Sequence, residues 1–484
     1  MFQSKSPFDS STMFPVQDND TANSKLQLSK IAPHDVFLGL FLLFVSCVFY
    51  VSELTDPAKI TLAILAIILS IRYPAWAVAL CITTLAFDYV VTPEQEGSES
   101  FLSPFRLLQL LVLGIHYPFL LIRIFVIRRY DQLVSKNIIL WFLLFAFFAF
   151  CTLFWSPEIV KGCTTLAKFL IQLTFFHLSL HTFRSKNDLI RLILFTVIFS
   201  AIISFYVVFI GGENVLHTDN VNRRMDLTGT GINTYAGISG LALICYIVYC
   251  AMSKNTALKI LLFFSVPLIT FSILKCGTRS VFVGIPLAFV FISTIVYWKK
   301  FYVLAFRLLM GGLVCVILFI WSIHSDIIGE KIMDRLFSVN IKSFDISRVA
   351  IWKTGVINYL YSPRGTGLGG EYLFVEAALV GEAHNTFISV LIQTSLIGLI
   401  LFTIPMIMIW KNAWNIPDQQ MRFCALLIYF SILVQANRAT LITNRFLWFY
   451  LIITCLYIEI SAKLTSKERP NEMPYRRSHV ERSV

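Results

Sequence analysis

The sequence predicts an all-α, polytopic membrane helical bundle, and three observations support this prediction. Of its 484 residues, 57% are hydrophobic and only 14% are charged, whereas soluble domains carry about a quarter charged residues. The apolar residues form runs that approach the length of about 20 residues that a helix needs to cross a bilayer. The loops between these runs alternate between basic and acidic character. Together these criteria give about fourteen spanning helices, in a range of about twelve to fourteen.

Each span is expected where an apolar run lies between two polar or charged loops. The expected spans are 35–51, 58–71, 75–91, 107–122, 138–155, 162–181, 189–210, 232–252, 258–274, 280–298, 301–323, 385–410, 421–436 and 446–461. They divide the chain into an N-terminal tail (1–33), an N-terminal transmembrane bundle (34–228), a second transmembrane region (229–323), a large outer loop (324–384), C-terminal transmembrane helices (385–462) and a basic tail (463–484).

The loop charges predict the orientation, because basic loops stay on the cytosolic side of a membrane. If the N-terminus is cytosolic, the inner loops hold Arg72, Arg123, Arg128, Arg129, Lys136, Arg184, Lys186, Lys254, Lys299, Lys300, Lys411 and Arg422. The early outer loops then hold acidic residues, such as Glu53, Asp56, Glu94 and Glu158. Both termini are therefore expected in the cytosol, and the N-terminal tail lacks the layout of a signal peptide.

The large outer loop, 324–384, is longer than a connection between spans needs to be. Residues 346–360 place Val349, Trp352, Val356 and Leu360 on one helical face, which predicts an amphipathic helix on the membrane surface. Residues 365–370 match the pattern GxGxxG, but a dinucleotide site would need a preceding strand and a cytosolic position. A tight turn with exposed amides that could meet a phosphate is favoured instead.

Several residues expected at the outer face could carry chemistry. His384 could act as a general base on a sugar hydroxyl, although Asn385 could simply cap the next helix. The arginines suit a polyanionic ligand, since guanidinium binds phosphate oxygens in a bidentate manner; they include Arg223, Arg224, Arg279, Arg348 and Arg364.

Other chemistries find less support in the sequence. Lys168 lies inside an apolar run, where either a structural ion pair or a substrate contact would explain it. The acidic residues of the outer face show no metal-site spacing, so no metal and no cofactor are expected. No basic patch interleaves with stacking aromatic residues, so nucleic acid is not an expected partner.

Five short motifs occur in order around the outer loop: Gly229-Thr-Gly-Ile-Asn-Thr234, Gly277-Thr-Arg-Ser280, Ser347-Arg-Val-Ala-Ile-Trp352, Pro363-Arg-Gly-Thr-Gly-Leu-Gly369 and His384-Asn-Thr-Phe-Ile388. In this order, residues 229–402 resemble the family of O-antigen ligases and polysaccharide polymerases, which are bacterial membrane glycosyltransferases. The resemblance implies a fold similar to the GT-C class and a place in the inner membrane with a periplasmic active site.

The resemblance also implies a reaction. The donor is a glycan on a polyprenyl diphosphate, the second substrate is a glycan acceptor, and the bilayer holds the lipid. By this resemblance, His384 is the catalytic base and Arg279 and Arg348 bind the diphosphate. Further substrate contacts are expected from Arg223, Arg224, Arg364, Asn233, Asn385 and Lys168. A chain-length regulator and a flippase are further candidate partners.

Three functions stay open at this point. A polymerase transfers the glycan to another lipid-linked repeat unit of an exopolysaccharide or O-antigen, and the high span count favours it. A ligase transfers the glycan to the lipid A core of lipopolysaccharide. A lipid-linked glycan flippase would instead place ionisable residues along a central cavity between two related halves, whereas this chain collects arginines on one face.

Overall fold

The structure is a computed structural model. It describes residues 104–125, 133–183, 185–205, 208–209, 232–275, 279–298, 341–371, 385–436 and 445–468, together with 75, 78, 79 and 81. The candidate residues His384, Arg223 and Arg224 lie outside this described part of the chain.

The described elements are all helical. In chain order they are α1 Pro104–Phe125, α2 Lys136–Thr152, which a 3-10 turn extends over Leu153–Trp155, α3 Ile159–Thr182, α4 Lys186–Phe205, α5 Ile232–Met252, α6 Thr256–Phe263, α7 Ser265–Lys275, α8 Arg279–Val296, α9 Ile341–Tyr361, α10 Thr386–Trp414, α11 Gln419–Ala436 and α12 Arg445–Glu468.

The helices confirm that this is a multi-pass membrane protein. Seven segments of the described residues are long and apolar enough to cross a membrane: α2 with its 3-10 turn, α3, α4, α5, α6 with α7, α10 and α12. Helices α1, α8 and α11 also coincide with expected spans. The expected spans 35–51, 58–71 and 301–323, and most of 75–91, lie outside the described residues. The total of about fourteen spans therefore stays a prediction.

One expected span, 258–274, is interrupted between α6 and α7. Pro267 has no backbone N–H, so the carbonyl of Phe263 cannot accept the usual helical hydrogen bond. The helix breaks at Phe264, and the hydroxyl of Ser265 donates to the carbonyl of Leu262 at 2.6 Å. Both pieces together still have the length of one span.

Helix α12 is the most deeply buried of the seven candidate spans. In its apolar stretch, 83% is buried within the protein, compared with 28% in the span formed by α6 and α7. It packs against α3, α4, α5, α10 and α11. The ring of Trp448 meets the rings of Phe142, Phe169 and Phe176 with centroid separations of 5.4, 5.4 and 6.0 Å. This aromatic cluster connects α12 to α2 and α3.

Hydrogen bonds join helix ends that the charge pattern assigns to the inner side. The buried carboxylate of Glu459 on α12 accepts from the backbone N–H groups of Val134 and Ser135 at the start of α2, at 3.2 and 2.7 Å. The side chain of Gln419 donates to the carbonyl of Val296 at 2.8 Å. The described helix ends that the loop charges assign to one side of the membrane are therefore bonded to each other. Which side is the cytosol stays a prediction.

Helix α9 exists as expected, and its predicted apolar face stays a prediction, because side chains that lie on a membrane surface are exposed on the protein itself. Among residues 351–361, the part of α9 whose side chains the structure describes, Ile351 and Gly355 are buried, whereas Leu360 is 69% exposed. Helix α9 packs on α10, which accounts for a buried side on this helix. Ile357 and Leu360 lie on the exposed surface of α9, where a face in contact with the membrane would also lie.

Candidate functional site

The segment after α9 is a glycine-rich loop, Gly365–Gly370, whose conformation depends on three alternating glycines. Gly365, Gly367 and Gly369 have φ values of +76°, +83° and +90°, which residues with a side chain rarely adopt. A Cβ atom at Gly367 would lie 2.6 Å from the Cα of Ser156. At Gly369 it would lie 2.6 Å from the backbone nitrogen of Gly162. The loop thus lies directly against the connection between α2 and α3.

The backbone amides of this loop all bond within the protein. The N–H groups of Thr366 and Gly367 donate to the carbonyls of Ile392 and Gln393 on α10, at 2.9 and 3.0 Å. Leu368 N–H donates to the hydroxyl of Thr152 at 3.1 Å, and those of Gly365, Gly369 and Gly370 also have protein acceptors. The prediction that exposed amides meet a phosphate is therefore wrong, because residues 365–371 are buried and their donors are satisfied.

Helix α10 supplies these acceptors because it is broken at Ser395. This residue has φ 66° and ψ −180°, a combination that is essentially restricted to glycine. The break interrupts the helical hydrogen bonds, so the N–H of Leu396 donates to the hydroxyl of Tyr359 on α9 at 3.1 Å instead. The carbonyls left without helical partners are those that the glycine-rich loop binds.

A buried acid, Glu371, ends this described segment. Its Oε2 accepts from the hydroxyl of Ser389 at 2.7 Å and from Nε2 of Gln393 at 2.9 Å. The Gln393 amide also donates to the Ser389 hydroxyl at 2.9 Å, and its Oε1 accepts from the N–H of Gly369 at 2.9 Å. Glu371 is 8% exposed, so the carboxylate lies within the protein, where hydrogen bonds must compensate its lost hydration.

Asn385 caps α10, as one of the two sequence interpretations predicted. Its Oδ1 accepts from the N–H groups of Phe387 and Ile388 at 3.0 and 3.1 Å, and the residue is 7% exposed. Since His384 immediately precedes this cap in the chain, the Glu371 network lies within the first two turns of the helix that follows His384.

The remaining candidates lie on two groups of helices. Arg364 is exposed at the start of the glycine-rich loop, and Arg348 belongs to α9, which packs on α10. Asn233 and Arg279 lie at the N-terminal ends of α5 and α8, which pack on each other and on α11. Helix α12 contacts α5, α10 and α11, so it packs against both groups.

Lys168 lies on α3, six residues after Gly162, which places it about 9 Å further along the helix axis from the glycine-rich loop. It is partly buried. Four residues later, Gln172 accepts a hydrogen bond from Gln109 on α1 at 3.3 Å. Lys168 is thus close to a buried polar contact between α1 and α3.

The sequence interpretation missed Glu371, Ser389, Gln393 and the break at Ser395. A signal for two of them was present, since Asn385, Ser389 and Gln393 recur every four residues in a largely apolar span. Such spacing puts polar side chains on one helical face, and polar residues within a membrane helix usually face the protein interior. Nothing in the sequence indicated that Glu371 would meet this face.

Comparison with known proteins gives one result for this region. A family model described as O-antigen ligase matches residues 261–403, which is less than half of the chain but includes α8, α9, the glycine-rich loop and most of α10. No curated protein matches the chain. The resemblance found in the sequence is therefore confirmed over residues 261–403, where this membrane protein is similar to the O-antigen ligase family.

Proposed function

We propose that the protein is an inverting, metal-independent membrane glycosyltransferase that polymerises repeat units of an exopolysaccharide or O-antigen on the periplasmic face. The donor is an oligosaccharide on a polyprenyl diphosphate, and the acceptor is a second lipid-linked repeat unit. The observation that carries this proposal is the family match over residues 261–403, because it includes Arg279, Arg348, Arg364, His384 and Asn385.

The reaction requires a base and a site for the leaving group. His384 takes the proton from the acceptor hydroxyl, and the resulting oxygen forms a bond to the anomeric carbon of the donor sugar. The bond from that carbon to the diphosphate breaks on the opposite face, so the configuration inverts. Arg279 and Arg348 hold the departing diphosphate and offset its developing negative charge.

The described contacts suit this arrangement. The glycine-rich loop donates hydrogen bonds to the carbonyls of Ile392 and Gln393 on α10, so the helix that follows His384 is held at two points before its break at Ser395. Glycosyl transfer needs the base within hydrogen-bond reach of the acceptor hydroxyl, and a rigid helix start provides that constraint.

The second candidate function is an O-antigen ligase, which the description of the matched family favours. It uses the same donor and the same chemistry, but its acceptor is the sugar core on lipid A. The two functions therefore differ in the acceptor alone.

The test uses purified protein in nanodiscs with a defined polyprenyl-diphosphate-linked oligosaccharide. With donor alone, a polymerase forms products that grow by whole repeat units, and a ligase forms product only after lipid A core is added. Formation of neither product, together with movement of the donor across vesicles, would identify a flippase and refute glycosyl transfer.

His384→Ala is expected to lower the rate of glycan transfer by a factor of about 10² to 10⁴, because a general base contributes that much. His384→Gln should be equally impaired, since an amide hydrogen-bonds but does not accept a proton near neutral pH. Product formation from the defined donor measures both variants. Near-normal turnover by His384→Gln would show that His384 is not the base.

A further inference from the structure

The first turns of α10 are structurally separate from the rest of that helix. The non-helical backbone at Ser395 interrupts the helix between Thr394 and Leu396. Because continuous helical hydrogen bonds are missing there, the part of α10 after the break does not fix the orientation of the part that begins at Asn385. Other contacts must fix the start of α10.

The segment Gly365–Glu371 provides those contacts. Its backbone donors bind the carbonyls of Ile392 and Gln393, and its last residue, Glu371, binds the side chains of Ser389 and Gln393. The same segment is bonded to Thr152 at the end of α2 and to Ser156 just after it. The start of α10 is thereby attached to the connection between α2 and α3.

Glu371 is the acidic member of this network, and its carboxylate form sets the direction of every bond. A carboxylate can only accept hydrogen bonds, so the Ser389 hydroxyl must donate to it and is left to accept from Gln393. The Gln393 amide must then point its nitrogen at Glu371 and its oxygen at the N–H of Gly369. An amide or a hydroxyl at position 371 would not impose this single arrangement.

We propose that Glu371 is a positioning residue: through Ser389 and Gln393 it fixes the start of α10, and thereby the base that enters this helix at position 384. This inference rests on the proposed function for the identity of the base. Glu371 is nearly enclosed and bonded to protein groups, so its role is to orient the helix and not to contact the sugar.

The variants Glu371→Ala, Glu371→Gln and Glu371→Gln/Gln393→Glu test this proposal in nanodiscs with the defined lipid-linked donor. Glu371→Ala should lower kcat by about 10²-fold, because a misplacement of about 1 Å has that effect. The KM for the donor should stay within about twofold, as expected when binding contacts are intact. Glu371→Gln keeps the shape but can turn its amide, so its kcat should fall less.

The double variant exchanges the two groups. The carboxylate introduced at position 393 could accept from the Gly369 N–H and from the new amide at position 371. Each hydrogen bond of the network then again has a single possible donor and acceptor. The kcat of the double variant should therefore be at least about fivefold higher than that of Glu371→Gln. Glu158→Gln is the matched control, because Glu158 also lies at this end of the bundle but makes no side-chain capping bond. It should leave kcat unchanged.

Two outcomes would overturn the proposal. These are an unchanged kcat in Glu371→Ala, whether or not the KM for the donor rises, and a double variant that is no faster than Glu371→Gln. If Glu371→Ala is not recovered as a monodisperse protein, the comparison of Glu371→Gln with the double variant decides. His384→Ala in the same assay separates the two proposals: full turnover there refutes the base, while the kcat effect at Glu371 still reports the positioning of α10.

Discussion

Ser395 supports the site although its own backbone conformation is unfavourable for a residue with a side chain. Its φ of 66° lies in the region that favours glycine. The break that it produces exposes the carbonyls of Ile392 and Gln393, to which the glycine-rich loop binds. The strain at one residue is thus compensated by hydrogen bonds at its neighbours.

Replacing this residue tests that account. Ser395→Gly should raise the free energy of unfolding by about 1 kcal/mol, because glycine adopts this conformation without steric conflict. Thermal unfolding in detergent measures the effect. Ser389→Gly is the control: it lies in a regular turn and loses the bond to Glu371, so it should destabilise the protein by about 1–2 kcal/mol. A lower stability of Ser395→Gly would show that the serine hydroxyl matters more than the strain.

The arginines give a second prediction at the same scale. Arg279→Lys and Arg348→Lys keep the positive charge but lose the planar, bidentate group, so severe loss of glycan transfer is expected with normal membrane insertion. The rate of product formation from the defined donor measures this. Arg191→Lys is a suitable control, because Arg191 pairs with Asp188 at 3.7 Å on α4, near the predicted inner side. Near-normal rates in both Lys variants would refute diphosphate binding by these arginines.

At the scale of helices, two attachments hold α2 at opposite ends. The glycine-rich loop binds its C-terminal end through Thr152, and Glu459 on α12 binds the backbone at its N-terminal end. A carboxylate suits that position, because the amino end of a helix carries partial positive charge. Helix α2 is thereby fixed against both α12 and the outer loop.

Glu459→Ala should therefore destabilise the protein by about 1–3 kcal/mol, since the buried N–H of Ser135 and the part-buried N–H of Val134 lose their acceptor. Glu459→Gln should cost less, because one amide oxygen can still accept. Thermal unfolding of both variants in detergent checks this order. Equal stability of Glu459→Ala and the unmodified protein would show that water replaces the carboxylate.

At the scale of the whole molecule, the charge pattern predicts the orientation in the membrane. In a cysteine-free background, cysteines placed at positions 340 and 376 should react with a membrane-impermeant reagent from the periplasm. Cysteines at 186 and 467 should react only after permeabilisation, since basic loops stay inside. Labelling of position 467 from the periplasm would reverse the orientation and place the proposed site on the wrong side.

The sequence by itself determined the all-helical membrane class, the positions of the described spans and the resemblance that the family model confirms. These features depend on local properties: the length of apolar runs, the charge of loops and short motifs. The capping role of Asn385 was predicted for the same reason, because a cap acts within one turn of its own helix.

Only the tertiary structure decided that the glycine-rich loop uses its amides internally and that Glu371 meets Ser389 and Gln393. It also decided that α9 buries Ile351 and Gly355 and not Leu360. Each of these outcomes depends on which distant segment lies opposite a given group. Glu371 and Gln393 are bonded across 22 positions of the chain, and Ser156 and Leu368 across 212. Local periodicity says which face of a helix is polar, but the partner of that face is set by the packing of the whole bundle.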